Sequence, residues 1–248
     1  MSEPDFESKV AIVTGGGSGI GAACVQLLVE RGAKVLVADV DPVAAEKVAS
    51  QFLESARPFA VDVSDSQRCE LMVQRAIDTW GGLHIAVNNA GIGGEQNPIG
   101  SYSVEGWRSV LSVNLDGVFY SMRAEIPAMI ESGGGSIINM SSILGSVGFP
   151  AAGAYVSAKH GVVGLTRAAA LDHAAQSIRV NAVGPGFIDT PLLSQLSPEM
   201  KAGLSRMHPR GQMGSSREVA ELVAFLASDR AANITGSYYT VDGGYTAQ

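Results

Sequence analysis

The order in which apolar patterns follow one another is the strongest constraint this chain places on its fold. Seven short runs, at 9–14, 34–38, 58–61, 85–87, 136–140, 179–182 and 238–241, are apolar almost throughout and rich in β-branched residues. Such runs suit strands buried on both faces of a parallel sheet, where neither face meets water. Longer segments with helical spacing lie between them, at 20–31, 42–54, 66–80, 105–131, 153–176 and 216–227. Strict alternation of this kind predicts an α/β protein, a doubly wound parallel sheet of about seven strands with helices on both faces. No linker, repeat or shift in composition divides the 248 residues, so 1–248 is expected to form one domain.

Two segments fall outside the alternation. Residues 92–102 follow the fourth strand, and residues 186–214 follow the sixth. Ligands of an open α/β sheet bind beyond the carboxyl ends of its strands. Both segments are therefore expected to wall a pocket, with 186–214 as the substrate loop; the plainer alternative is that they only connect elements.

Charge narrows the partners. Lys and Arg number 17 against 24 Asp and Glu, a net charge of −7, and no basic cluster occurs. Nucleic-acid binding needs such a cluster, and an anionic membrane surface would not attract this chain either. The longest uncharged stretch, 132–158, holds six glycines and Pro150, so it reads as strand, loop and helix start rather than a membrane span. The polar, acidic first ten residues do not read as a secretory signal. Two cysteines, Cys24 and Cys69, are too few for a disulfide framework and are expected to be buried or inert thiols. A cytoplasmic setting is the expectation.

Five of the 30 glycines crowd into Thr14-Gly-Gly-Gly-Ser-Gly-Ile-Gly21, directly after the first strand and at the start of the first helix. Glycines there permit a tight turn, a close backbone approach to a pyrophosphate, and close packing of helix on strand. The helix N-terminus adds free N–H groups and a partial positive charge. Gly15, Ser18, Gly19, Ile20 and Gly21 are thus candidate cofactor contacts. Asp39, at the end of the second strand, can accept both ribose hydroxyls of an adenosine and would repel a 2′-phosphate. No Arg or Lys lies in the turn or just after Asp39, so the expected cofactor is NAD. Asp41 is the better candidate for capping the helix that begins at Pro42. Asp62 and Val63 follow the third strand, and Asn88-Asn-Ala-Gly91 follows the fourth; amides there can tie strands to loops, while Ala90 and Gly91 leave room for a cofactor.

Tyr155 and Lys159 stand four apart at the start of a helical segment and so share a face. An ammonium beside a phenol stabilises the phenolate and lowers the tyrosine pKa toward neutrality, which suits a general acid/base. The spacing alone is a weak signal; its companions strengthen it. Ser142 lies just past the strand ending in Met140 and can hydrogen-bond the same substrate oxygen. Asn114 is a polar residue among Val113, Leu115 and Val118, either part of this site or a buried cap on a helix kink.

With these residues in this order, the sequence resembles the short-chain dehydrogenase/reductase family in its shorter, single-domain branch. The resemblance spans nearly the whole chain: the glycine turn, Asp62, Asn88–Gly91, Asn114, Ser142, Tyr155-x-x-x-Lys159, Pro185-Gly186 and Val241-Asp-Gly-Gly244. It implies a Rossmann-like fold and hydride transfer between a secondary alcohol or ketone and nicotinamide. It implies that Tyr155 exchanges the proton, Ser142 holds the substrate oxygen, and Lys159 binds the nicotinamide ribose and depresses the Tyr155 pKa. Asn114 is implied to anchor a proton-carrying water. Pro185, Gly186, Ile188 and Thr190 are implied to hold the carboxamide side, and Asn89, Ala90 and Gly91 the adenosine and ribose side. A homotetramer is implied as well, with 105–131, 153–176 and the C-terminal segment between subunits. No metal is required, and the four histidines show no ligand spacing.

Residues placed to line the substrate pocket are Ile92, Ser142, Leu144, Phe149, Phe187, Leu192, Leu193 and Met207. All but the serine are apolar, and each could instead serve the core or a subunit interface. With no Arg or Lys among them to clamp an anion, the expected substrate is an uncharged secondary alcohol or ketone, cyclic, aromatic or steroid-like. Two competing functions are an NADP-dependent 3-oxoacyl-thioester reductase and a non-catalytic dinucleotide-binding scaffold. Asp39 speaks against the first and the intact Tyr155, Lys159, Ser142 and Asn114 against the second.

Overall fold

In the computed structural model, which describes residues 5–193 and 197–248, seven strands form one parallel sheet. The strands are β1 (Val10–Thr14), β2 (Lys34–Asp39), β3 (Ala56–Ala60), β4 (Ile85–Asn88), β5 (Gly135–Met140), β6 (Ile178–Pro185) and β7 (Tyr238–Val241). The sheet order is β3-β2-β1-β4-β5-β6-β7. Strand order reverses between β1 and β4, and this switch point opens a crevice at the carboxyl ends of both strands. The glycine turn and Asn88–Gly91 flank it.

Side chains alternate across the sheet, as a period of two requires. Ala11, Val13, Val35 and Val37 enter the core beneath α1 (Gly19–Glu30), α2 (Pro42–Ala49) and α8 (Ser216–Ala227). Val10, Ile12, Leu36 and Ala38 enter the opposite core, beneath α3 (Ser66–Trp80), α5 (Gly117–Glu131) and α6 (Gly153–His173). Full burial of each such valine or leucine contributes roughly 1.5–3 kcal/mol, so the two layers fix which end of the sheet carries the loops. Cys24 and Cys69 are buried in these layers, and burial raises their thiol pKa values to about 12 and about 11.

The elements differ from the sequence expectation in several places. The helix expected over 105–131 is two helices, α4 (Val104–Leu111) and α5, joined by a π-helical turn at Ser112–Asp116. The apolar period runs through all three and conceals the extra residue. The segment 186–214 contains a further helix, α7 (Pro198–Arg206), capped by Ser197 Oγ accepting from the Met200 N–H. Its nine residues bury none of their number, so no apolar stripe advertised it. The third strand begins earlier and ends at Ala60 rather than Val61. Among the described residues, no helix is long and apolar enough to cross a membrane.

Candidate active site

The turn after β1 is shaped by what surrounds its glycines. Gly15 and Gly19 adopt positive φ, 62° and 51°, a region that non-glycine residues rarely enter. A Cβ on Gly21 would lie 2.0 Å from the Gly15 carbonyl oxygen, so only glycine lets the helix begin there. Five helices are capped by side chains of Asp41, Asp65, Ser103, Ser197 and Ser215, whereas α1 has no side-chain cap at Ser18 and no acid in its first turn. Its first N–H groups are left for an anionic group. Ile20 follows in this turn, packed partly against the core.

Asp39 closes the crevice on the β2 side. Its Oδ2 accepts from the Gly17 N–H at 2.9 Å and its Oδ1 from the Asp41 N–H at 3.0 Å. Both bonds hold the carboxylate over the glycine turn. As expected, Asp41 caps α2, accepting from Val43 and Ala44. On the β4 side, Asn89 Nδ2 donates to the Thr14 and Gly15 carbonyls at 3.0 and 3.2 Å. Its side chain therefore ties strands together, which leaves Ala90 and Gly91 as the surface facing the crevice. Thr14, not among the expected site residues, takes the Asn89 and Ala90 N–H groups on Oγ1. Asp62 is exposed and folds back on Ser64, while Val63 is buried against Gly117.

Tyr155 and Lys159 sit on the first two turns of α6, with Lys159 Nζ 5.6 Å from the Tyr155 ring centre. The lysine is buried, donates to the Met140 carbonyl at 2.7 Å, and has its pKa lowered by burial to about 8. Burial raises the Tyr155 pKa, and hydrogen bonding with the Ser142 hydroxyl works the other way. In the chain by itself the phenol is thus not depressed as the Tyr–Lys pairing suggests, because Lys159 points its ammonium at a strand-end carbonyl. Ser141 Oγ donates to the Lys159 carbonyl at 2.9 Å and staples β5 to α6. Ser142 Oγ accepts from the Leu144 N–H at 3.2 Å, and its carbonyl accepts from Tyr238 Oη at 2.6 Å.

Asn114 occupies the π-helical turn and is fully buried. Its Oδ1 accepts from the Ile92 N–H and its Nδ2 donates to the Ile92 carbonyl, both at 2.8 Å. The amide therefore holds the loop after β4, as a buried cap on a kink would. A Cβ on Gly91 would lie 3.2 Å from Asn114 Oδ1 and 3.7 Å from Lys159 Nζ, so that glycine keeps open a space shared by the two.

Beyond β6, Pro185 ends the strand and the Gly186 N–H donates to the Val241 carbonyl. Ile188 is buried and bridges to Gly214. Thr190 and Pro191 stand 3.4 and 3.6 Å from a Cβ on Gly19, so this segment returns to the glycine turn. Of the expected pocket residues, Phe149 and Phe187 pack edge to face, with ring centres 6.0 Å apart. Leu144 is buried, Leu193 is half-buried, and Ile92 and Met207 are exposed. The Leu192 side chain lies outside the described residues. His208 and Tyr245, neither expected here, complete the aromatic group around Phe187.

A parallel sheet with a glycine turn at its switch point, and a Tyr–Lys pair with a serine at the end of β5, define a nicotinamide-dependent oxidoreductase site. A family model described as enoyl-(acyl carrier protein) reductase matches residues 15–246. The chain belongs to the short-chain dehydrogenase/reductase family. It is 46% identical over 246 residues to a cyclohexanol dehydrogenase of Acinetobacter sp. (strain SE19), covering 98% of this chain and 97% of that protein. It is 42% identical to a cis-4-hydroxycyclohexanecarboxylate dehydrogenase of Sinomonas cyclohexanicum, covering 98% of each. The crystal structure of levodione reductase superposes with a TM-score of 0.94 at 35% identity, covering 98% of this chain and 99% of that one.

Proposed function

We propose that this chain is an NAD-dependent dehydrogenase of uncharged, ring-shaped secondary alcohols, interconverting them with their ketones. The observation that carries the proposal is the meeting of Tyr155, Lys159 and Ser142 at the carboxyl end of β5. The dehydrogenases of cyclohexane-based alcohols among the relatives support a ring as substrate.

The crevice fits a dinucleotide: the turn of Gly15, Gly19 and Gly21 brings backbone rather than side chains to its edge, and the uncapped start of α1 offers N–H groups to a pyrophosphate. Asp39 would take the adenosine ribose, with its charge opposing a 2′-phosphate. Asp62, Val63, Ala90 and Gly91 would border the adenosine half, and Pro185, Gly186, Ile188 and Thr190 the nicotinamide half. When bound, the nicotinamide supplies the hydride acceptor or donor.

The remaining work belongs to side chains. Ser142 Oγ holds the substrate oxygen, and Tyr155 Oη takes its proton in oxidation or returns it in reduction. Lys159, charged below about pH 8, would hold the nicotinamide ribose. Asn114 and Gly91 keep open the route by which water resupplies Lys159 with protons. Exposed Phe119 and Ile130 on α5 and Leu171 on α6 support a homotetramer closed over these helices, and the free, buried thiols of Cys24 and Cys69 support a cytoplasmic enzyme.

Initial rates with cyclohexanol and equal concentrations of NAD and NADP test the proposal. Turnover with NAD is expected, and Tyr155→Phe should abolish it while NADH binding, read by fluorescence, stays within about twofold. A clear NADP preference, or turnover of acyl thioesters alone, would replace this reading with a 3-oxoacyl-thioester reductase. NADH binding without turnover of either class would indicate a scaffold.

A further inference from the structure

His208 is nearly fully buried, 3% exposed, and both its ring nitrogens are engaged. Nδ1 donates to the Leu204 carbonyl at 3.1 Å, within the end of α7, and Nε2 accepts from the Phe187 N–H at 3.2 Å. This pairing specifies the Nδ1–H tautomer, since a backbone N–H can only donate. A Cβ on Gly186 would lie 2.6 Å from Nε2, so the chain yields its side chain at Gly186 to admit the ring. The rings of His208 and Tyr245 both meet Phe187 edge-on, with ring centres 5.7 and 5.9 Å away, and stand 5.8 Å from each other.

The C-terminal turn that carries Tyr245 is itself fixed. Asp242 accepts from the Gly244 and Thr246 N–H groups and from Thr246 Oγ1, at 3.0, 3.0 and 2.6 Å. The Arg210 N–H donates to the Gly243 carbonyl, which docks the turn against the residues just after His208. Three segments distant in sequence therefore converge on one imidazole: the extension of β6, the end of α7 and the C-terminus.

We propose that His208 is the positioning residue of the substrate wall: it locks the Phe187 backbone to the end of α7 and sets Phe187 and Tyr245 as the aromatic edge that favours ring-shaped alcohols. The selective role rests on the function proposed above; the lock does not. A rigid ring gains from a fixed aromatic edge, whereas an open chain can adapt to a displaced one. Loss of His208 should therefore act on substrate fit and leave the proton-transfer groups near Ser142 untouched.

The test compares wild type, His208→Ala, His208→Gln and Tyr245→Leu by hydrogen exchange at the Phe187 amide and by kinetics with cyclohexanol and hexan-2-ol. His208→Ala should speed exchange at Phe187 about tenfold, the scale of one lost hydrogen bond. It should raise KM for cyclohexanol about tenfold with kcat within about threefold, and erase the preference for the ring over hexan-2-ol. His208→Gln, whose amide oxygen reaches as far as Nε2, should restore slow exchange and the preference. Tyr245→Leu should lose the preference with exchange unchanged, and it decides the matter if His208→Ala fails to fold. Unchanged exchange in a folded His208→Ala, or equal losses on both alcohols, overturns the proposal while leaving the dehydrogenase reading intact. A wild type that oxidises neither alcohol refutes that reading and the selective role together, and the exchange result then stands for the lock alone.

Discussion

Glu125 should be neutral in the folded protein, and replacing it with glutamine should stabilise the enzyme by an amount that grows with pH. The residue lies on α5 with no exposed surface. Its Oε2 accepts from Asn88 Nδ2 at 3.1 Å, and the same nitrogen donates to Asn139 Oδ1 at 3.0 Å. Asn139 in turn donates to Thr166 Oγ1 at 3.0 Å. Glu125 Oε1 and Asn88 Oδ1 have no partner among the described residues, and a proton on Oε1 would turn one of two orphaned acceptors into a donor. Burial raises the Glu125 pKa from 4.5 to about 8, with the Asn88 hydrogen bond opposing the rise. Below about pH 4.5 the folded and unfolded chains both hold the proton and nothing is lost. As pH rises the unfolded chain releases it first, so stability falls until the folded carboxyl also ionises near pH 8. The full shift corresponds to about 5 kcal/mol and the loss accumulated by pH 7 to about 3 kcal/mol. Glutamine keeps the acceptor toward Asn88 and removes the titration. At 2–4 °C per kcal/mol for a chain of this size, Glu125→Gln should raise Tm by roughly 6–12 °C at pH 7 and by only about 2 °C at pH 5. Scanning calorimetry of both proteins at matched concentration across pH 5–8.5 measures this. A Tm difference that does not change with pH, or a glutamine variant less stable at pH 8, refutes the neutral carboxyl.

Lys159→Met should show the opposite pH sense. The buried ammonium is disfavoured in the fold, a penalty complete below about pH 8 and relieved as pH rises toward 10.5. The variant should be inactive yet gain about 2 kcal/mol at pH 7 after losing the bond to Met140, read as a higher Tm. With Tyr155 raised above its ordinary value, alcohol oxidation should accelerate and ketone reduction slow as pH rises, which paired kcat/KM profiles would show. Asp39→Asn should lower the NAD-to-NADP preference at least about tenfold by removing one charge-assisted bond, measured by competitive initial rates. Gly21→Ala would place a methyl 2.0 Å from the Gly15 carbonyl; it should cost about 1–3 kcal/mol of stability and abolish measurable NADH binding by fluorescence.

What the sequence disclosed and what it hid differ by the distance along the chain over which each feature is built. The sheet, its two buried faces, the glycine turn, the Asp41 cap and the Tyr155–Lys159 pair are local patterns, legible because each is written within a few residues. Asn114 was legible as an anomaly, a polar residue in an apolar helix, but the π-helical turn beneath it was not, since one extra residue barely disturbs a period of 3.6. Helix α7 was hidden because its nine residues have no buried face. The long-range contacts around the site were hidden for a stronger reason. Tyr238 reaches Ser142 across 96 residues and His208 reaches Phe187 across 21, and nothing near either residue marks it as reaching for that partner. The same separation explains why chemistry was easier to read than specificity here. The proton transfer proposed here uses Tyr155 and Lys159 one helical turn apart, so it leaves a local spacing. A ring-shaped substrate needs only a surface, and three distant segments can build that surface with no motif in any of them.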